Sequence, residues 1–562
     1  MTSMTGSRGF VDLLRAYEVS HVFYVPAIML PALAEVQRAG LGAVSAHGEK
    51  AAAYMADGYA RVSRRPGICM SQAVGASNLA AGLKDAYLSC SPVIAITGGP
   101  APETRYRHVY QEIRDSDLFD RVTKWNAGVE LPGRLPEILR QAFRVATTGA
   151  PGPVHVEVRG HQGQVTEAET EVEAVFEPRF GRVPAFRPTA EPEAVAEAVR
   201  ELAGARRPVI VAGGGVIWSG AEAEVVALAE RLSIPIATSL HAKATVAEHH
   251  PLCVGVCGHY SRSCANRVVA EADLVFFIGS RTGSMVTNHW RVPEPGTPVI
   301  HLDIDPQELG RHYPTRVALN GDARATLRRM LEEAEPRSNP TWTDRAQELV
   351  RQWRREVESM TTSDAVPIRP ERLVTEIAAA LPEDGAVIVD TLQASIWAGS
   401  MLALKGSGQR FARCAGSLGW GFPAALGAKC ALGDRPVIGF TGDGGIYYHL
   451  AELETAARYG IGAVVVVNNN GAYACEAPTW DQLYGDRNDP AICSSWSFGY
   501  RDFAGVAREM GCEGIRVERP GDIAEALRRG LASGRPTLID VVTDQTAVHP
   551  RGWVPEARAA GV

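Results

Sequence analysis

Nowhere in these 562 residues do cysteines form a C-x-x-C pair, and the ten present are scattered. The nearest two, Cys253 and Cys257, have no partner ligands at metal spacing. The thiols therefore read as buried or idle groups of a reducing compartment rather than as a disulfide framework or zinc site. Long hydrophobic runs are missing too: no stretch approaches the roughly 20 apolar residues that span a bilayer. Met1–Gly9 carries neither a hydrophobic signal core nor an Arg-rich amphipathic presequence, so the expected location is cytoplasmic. A strong charge of either sign is also lacking. The net charge of −7 is mild and spread along the chain, which argues against nucleic acid or a membrane surface as partner.

What is present is the composition of a globular α/β protein, 46% hydrophobic and 22% charged, at a length that suggests three domains. Two proline-bearing stretches read as linkers, around 163–192 and 334–370, the second flanking a charged helix-like segment. The expected domains are residues 1–170, 190–335 and 365–550. Each alternates apolar strands with amphipathic helices, the pattern of a doubly wound parallel sheet. Strand candidates are "HVFYVP", "PGICMSQ", "PVIAITG" and "PVHVEV", then "RPVIVAGGG", "ADLVFFIGS" and "TPVIHLDIDP", then "GAVIVD", "RPVIGFTGDG", "GAVVVVNNN" and "PTLIDVV".

Ligands in such sheets bind at the carboxyl ends of strands, and two unusual sequences stand at such ends in the last block. "VIGF" runs into Thr441-Gly442-Asp443-Gly444, and "AVVVV" runs into Asn468-Asn469-Asn470. A crossover helix between parallel neighbours sets these ends side by side, so a carboxylate and an amide oxygen converge. All-oxygen ligation with few protein ligands suits Mg²⁺ completed by water and a phosphate ester. Gly442, Gly444 and Gly445 allow close approach of the backbone to phosphate oxygens.

Gly442-Asp443-Gly444, with Asn470 placed 27 residues after the acid, resembles the signature of thiamine-diphosphate enzymes. The resemblance extends over nearly the whole chain and is nearest to the acetolactate synthase-like branch. It implies three α/β domains (pyrimidine-binding, central and diphosphate-binding) and a Mg²⁺ held by Asp443, Asn470 and the Ala472 carbonyl, with Tyr473 beside it. "AHGEKAAAYMADGYAR" (46–61) is similar to the segment whose glutamate, here Glu49, contacts the aminopyrimidine ring. A carboxyl there favours the ring tautomer that removes the weakly acidic thiazolium proton. "CAGSLGWGFPAALGA" (414–428) resembles the segment that bends the cofactor, with Leu418 as wedge and the Gly416 carbonyl receiving the exocyclic amine. "VDTLQASIW" (389–397) resembles the cover of the diphosphate, retaining Asp390, Gln393 and Trp397, with Ala394 where a His is common.

The substrate is less defined. "VYQEI" makes Gln111 a candidate substrate contact. "VPAIMLP" puts Ala27-Ile28 where the branch has Gly-Gly, which implies a reshaped pocket. "SQAVGASN" contributes Gly75. Glu476, six residues after Asn470, stands where the pyruvate decarboxylase type has an acid, and His47 and His108 are further candidates for proton transfer. In the middle block, "VAGGGVIWSGA" and "GHYSRSCAN" resemble flavin-binding segments, but "GSRTGSMVTNHW" keeps only Arg281 of Gly-x-Arg-Phe-Asp-Asp-Arg. FAD thus stays an open alternative, with a structural role. The implied reaction decarboxylates a 2-oxo acid and transfers the acyl unit to a carbonyl acceptor. Plain decarboxylation, hydrolysis of a 1,2-dione and a catalytically silent paralogue are the rivals. Relatives build the site between subunits, which implies a homodimer or homotetramer.

Overall fold

The computed structural model describes residues 2–160, 162–167, 169–172, 175–406, 408–548 and 552–555. It contains three six-stranded sheets whose neighbouring strands are all parallel. In spatial order the N-terminal sheet runs Gly42–Ser45, His21–Tyr24, Gly67–Ser71, Val93–Gly99, Val154–Arg159, Asn126–Val129. The C-terminal sheet repeats that topology: Arg410–Arg413, Ala386–Val389, Val437–Gly442, Val464–Asn469, Thr537–Val542, Glu513–Val517. The middle sheet follows a different order, Cys253–Val256, Ile236–Thr238, Pro208–Ala212, Leu274–Ile278, Val299–Asp303, Thr315–Asn320. Central strands such as Val93–Gly99 and Val464–Asn469 are buried along their whole length. That is the signature of parallel sheets covered by helices on both faces, and it is why their sequences are continuous Val/Ile runs. A short antiparallel pair, Thr2–Thr5 with Glu169–Val172, lies outside these sheets. The charged segment after the middle sheet is the helix Pro340–Thr361.

The ten cysteines are free thiols. Burial pushes Cys253 and Cys257 up to about 12, so neither is a reactive thiolate at neutral pH.

The outer two domains are joined through the helices Glu49–Ser63 and Gly421–Leu432. Their crossing needs small residues: a Cβ on Gly58 would fall 2.1 Å from the Ala424 carbonyl oxygen, and one on Gly427 1.8 Å from that of Met55. One turn further on, a buried ion network locks the contact. The Arg61 guanidinium donates to Asp57 at 2.6 and 2.8 Å, to Asp85 at 2.7 Å and to the Arg413 carbonyl at 2.5 Å. Trp420 Nε1 donates to Asp57 at 2.8 Å, and its ring lies 4.5 Å from the Arg61 guanidinium. Asp85 also accepts the backbone N–H groups of Ala415, Gly416 and Ser417 at 3.0–3.1 Å. Burial alone would raise the Asp85 carboxyl. Arg61 and these amides overcome that and hold it well below the ordinary carboxylate range.

Asp85→Ala would leave three buried amides without their acceptor and Arg61 with Asp57 as its only carboxylate partner. Removing one partner from a buried ion pair costs about 3–5 kcal/mol, read as a shift of the urea unfolding transition. A loss of only ~1 kcal/mol, ordinary for an exposed pair, would show that the network does not hold the domains together.

Candidate active site

In the C-terminal sheet the order of strands reverses between Ala386–Val389 and Val437–Gly442, and such a reversal opens a crevice at the strands' carboxyl ends. Asp390 follows the first strand and Asp443 the second. The register sets Gly442 opposite Asn468 on the next strand, so the two motifs read from sequence do meet. Asp443 is buried, and its carboxylate accepts from the N–H groups of Gly444 at 2.8 Å, Gly471 at 2.5 Å and Ala472 at 3.3 Å. The Asn470 amide oxygen accepts from that same Ala472 N–H at 3.1 Å, and its Nδ2 donates to Gln393 Oε1 at 2.8 Å.

The cavity over this point is lined by residues 390–394, Leu418, 442–445, Asn468, Asn470 and 472–475. Two of these are carboxylic acids and none is cationic. Burial pushes Asp443 up to about 7 and Asp390 to about 6, even though backbone amides work against it. An anionic ligand cannot be balanced by this set alone; a hard divalent cation between it and the Asp443, Asn470 and Ala472 oxygens restores the balance. The residues therefore fit a Mg²⁺–diphosphate pair. The glycines divide the work unequally. A Cβ on Gly444 would lie 2.5 Å from the Tyr473 ring and one on Gly445 2.7 Å from Asp390, whereas Gly442 faces open space.

The wall bearing Gly416 and Leu418 is the loop that Asp85 pins through its amides. Glu49, the further candidate read from the sequence, lies in the N-terminal domain. Glu49 opens the helix Glu49–Ser63 and accepts from Asn78 Nδ2 at 3.1 Å. Gly75 leaves room for it, since a Cβ there would lie 2.5 Å from Glu49 Oε1. Its neighbour Lys50 turns instead to the chain's own C-terminal domain, 5.2 Å from the Tyr448 ring. No described residue of the N-terminal domain lines the Asp443 cavity.

Comparison with known proteins decides what this arrangement is. Residues 4–118 match the thiamine pyrophosphate enzyme N-terminal TPP-binding domain, 195–330 the central domain and 390–541 the C-terminal TPP-binding domain. Among curated proteins, a probable acetolactate synthase large subunit of Methanocaldococcus jannaschii is 34% identical, covering 97% of this chain and 93% of its own. The acetolactate synthase of Arthrospira platensis is 32% identical over 97% and 96%. The acetolactate synthase large subunit of Corynebacterium glutamicum is 30% identical over 97% and 87%. The chain belongs to the thiamine pyrophosphate enzymes, on their acetolactate synthase branch.

As a thiamine pyrophosphate enzyme the chain departs from the expectations at several points. Ile28 is withdrawn into the N-terminal core, so it does not narrow a pocket and only Ala27 is left to reshape that loop. His47 is exposed, yet its Nε2 is paired with Glu454 at 2.7 Å and its N–H with Glu452 at 3.1 Å. It bridges two domains. His108 is exposed, with φ +56°. Gln111, at φ +60°, keeps a buried Oε1 without a partner among the described residues. Glu476 is exposed at the start of the helix Ala477–Tyr484, one residue past the cavity wall. Trp397 is fully buried behind the cavity. Sequence reasoning missed Asp85, Asn78 and Asn468. "ADGYAR" already contained two members of the ion network, and an acid at helical spacing with Leu79, Gly82 and Ala86, on the apolar face of the helix Ala76–Leu88, was the available sign of the third.

The middle domain has a groove of about 460 Å³ at its own reversal point. Its floor is a tight backbone crossing, with Gly213 and Gly215 pressed on Gly279. Arg281 and Asp303 flank it, and burial pushes the Asp303 carboxyl up to about 6.

Because Gly75 and Glu49 share one space, Gly75→Ala is expected to mimic loss of the Glu49 contact. The expected drop in turnover is roughly 10²–10⁴-fold, the usual worth of a positioned acid–base group, with the fold unchanged by circular dichroism. Unaltered turnover would separate Gly75 from Glu49.

Proposed function

We propose that the protein is a thiamine-diphosphate- and Mg²⁺-dependent enzyme that decarboxylates a 2-oxo acid of the pyruvate type and transfers the acyl unit to a carbonyl acceptor. The observation that carries this reading is the cavity with two buried acids and no cation, ending in Asp443, Asn470 and Ala472. The names of the relatives support the acetolactate-forming class, and the large-subunit designation of some supports a smaller partner chain.

Bound thiamine diphosphate would supply a weakly acidic thiazolium carbon, nucleophilic once deprotonated, and a cationic ring that acts as an electron sink. The chain's residues do the rest. Asp443, Asn470 and the Ala472 carbonyl hold the metal, Gln393 fixes the Asn470 amide, and Leu418 holds the cofactor bent. Gly416 offers its carbonyl to the exocyclic amine, and Glu49 exchanges a proton with the pyrimidine ring. Gln111 is assigned to the substrate. Glu476, at the cavity rim, favours a second reading, in which an acid protonates the decarboxylated product and an aldehyde leaves. The middle groove, with its glycine crossing and Arg281, supports a structural nucleotide ligand of the FAD type.

Since Glu49 and the Asp443 cavity do not meet within one chain, the reading requires at least a homodimer. Glu49→Gln and Asp443→Ala should each abolish most activity, the second by losing Mg²⁺-dependent cofactor binding in calorimetry. Co-expressed, the two should recover about a quarter of wild-type activity, because in a two-fold dimer each mixed pair keeps one intact site. No recovery would place both halves of the site in one chain.

The reaction itself is tested by incubating the purified protein with a panel of 2-oxo acids, with and without aldehyde or 2-oxo acid acceptors. Mass spectrometry should find acceptor-dependent hydroxy-ketone products, and a visible spectrum of the same sample reports flavin. Free aldehyde that no acceptor diverts would favour the decarboxylase reading, and no turnover at all would return the silent paralogue.

A further inference from the structure

Asn468 is the asparagine of the run to which the family signature assigns nothing. Within Val464–Asn469 it lies on the same face as Val464 and Val466, which pack with Ala394, Trp397 and Ala398 of the helix Gln393–Met401. Asn469, on the other face, is committed: its Nδ2 donates to Asp540 at 2.7 Å and to the Arg501 carbonyl at 2.8 Å. Asn470 is committed to Gln393 and Ala472. Asn468 is 1% exposed, and neither its Oδ1 nor its Nδ2 has a hydrogen-bond partner among the described residues. A valine would serve such a site better, because a buried amide without a partner destabilises the fold.

The space beside it is where the ligand of the preceding reading would lie. Gly442 stands opposite Asn468 in the register and so faces the same side of the sheet, and a Cβ on Gly442 would meet nothing within 4 Å. Both residues line the Asp443 cavity, which offers an anion no cationic side chain. Resting on the cofactor reading above, we propose that Asn468 is a diphosphate-binding residue, donating its side-chain amide to a phosphate oxygen in this cavity. The amide is a ligand contact that the empty fold cannot satisfy. Cofactor binding then relieves a defect of the apo protein as well as adding a contact.

Asn468→Leu separates these effects. By calorimetry with thiamine diphosphate and Mg²⁺ the variant should bind at least tenfold more weakly than wild type. Mg²⁺–pyrophosphate, which carries the phosphates without the rings, should lose a similar factor. Thermal unfolding without cofactor should show the variant at least as stable as wild type, so its melting shift on cofactor addition is smaller. Asn468→Asp, equal in size but anionic, should bind more weakly still. Equal cofactor binding by wild type and Asn468→Leu would overturn the proposal, leaving only an ordered water on the amide. A lower apo melting temperature for Asn468→Leu would overturn it too, by showing that the amide is satisfied without ligand. Should wild type itself fail to bind cofactor, the reading of the cavity falls first.

Discussion

The buried contact of Arg61 with Asp57 and Asp85 is the constraint on which the site depends. Its ions lie in the interior, where an unpaired charge is costly and a fully bonded one is fixed in place. Asp85 has its acceptor positions filled by Arg61 and by three consecutive amides of the loop 415–417. That loop belongs to the other domain and leads directly to Leu418. The N-terminal domain therefore determines where the C-terminal domain presents the Leu418 wall of its cavity. The reverse also holds. Ser45 is bonded through Tyr459 and Arg458, and His47 through Glu452 and Glu454, so the approach to Glu49 is docked on the helix Glu452–Tyr459. Each domain positions the reactive residue of the other.

Charge explains the chemistry of the cavity. Asp443 and Asp390 are kept from water by strands buried on both faces, and burial raises both carboxyls toward neutrality. Backbone amides compensate part of that cost but carry no net charge. A site of this kind favours a cation over a bare anion, which is the physical ground for the metal in the proposed reading. Gly444 and Gly445 serve the same end by letting Tyr473 and Asp390 close on the turn. An added methyl at either would push apart the groups that exclude water.

The strands legible in the sequence are those buried on both faces, whose Val/Ile runs leave no other reading. All six edge strands of the three sheets, and the three-residue Ile236–Thr238, were not legible. Thr315–Asn320, with alternating burial, and Asn126–Val129, with a single buried residue, show how little apolar pattern an edge needs, while Cys253–Val256, though buried, is only four residues long. The meeting of Asp443 with Asn470 was legible because their spacing is tied to strand ends and a crossover helix, whereas Glu49 was picked out by the resemblance of its segment alone. Asp85 was not legible, since its partners come from a loop 330 residues away. Ile28 misled because the residue type says nothing about which way the loop turns it. The pairing of His47 with Glu454 was not legible, since the two lie in different domains.

The same packing also sets where Glu49 can point. The helix Glu49–Ser63 spends one side on Gly421–Leu432, with Gly58, Tyr54 and Lys50 turned to the chain's own C-terminal domain. Glu49, at the first turn, is directed by Asn78 and Gly75 away from that contact. Backbone crossings as close as those of Gly58 and Gly427 leave no freedom to rotate the helix and bring Glu49 round to its own Asp443. The interaction that orders each chain thus also holds Glu49 apart from its own Asp443 cavity.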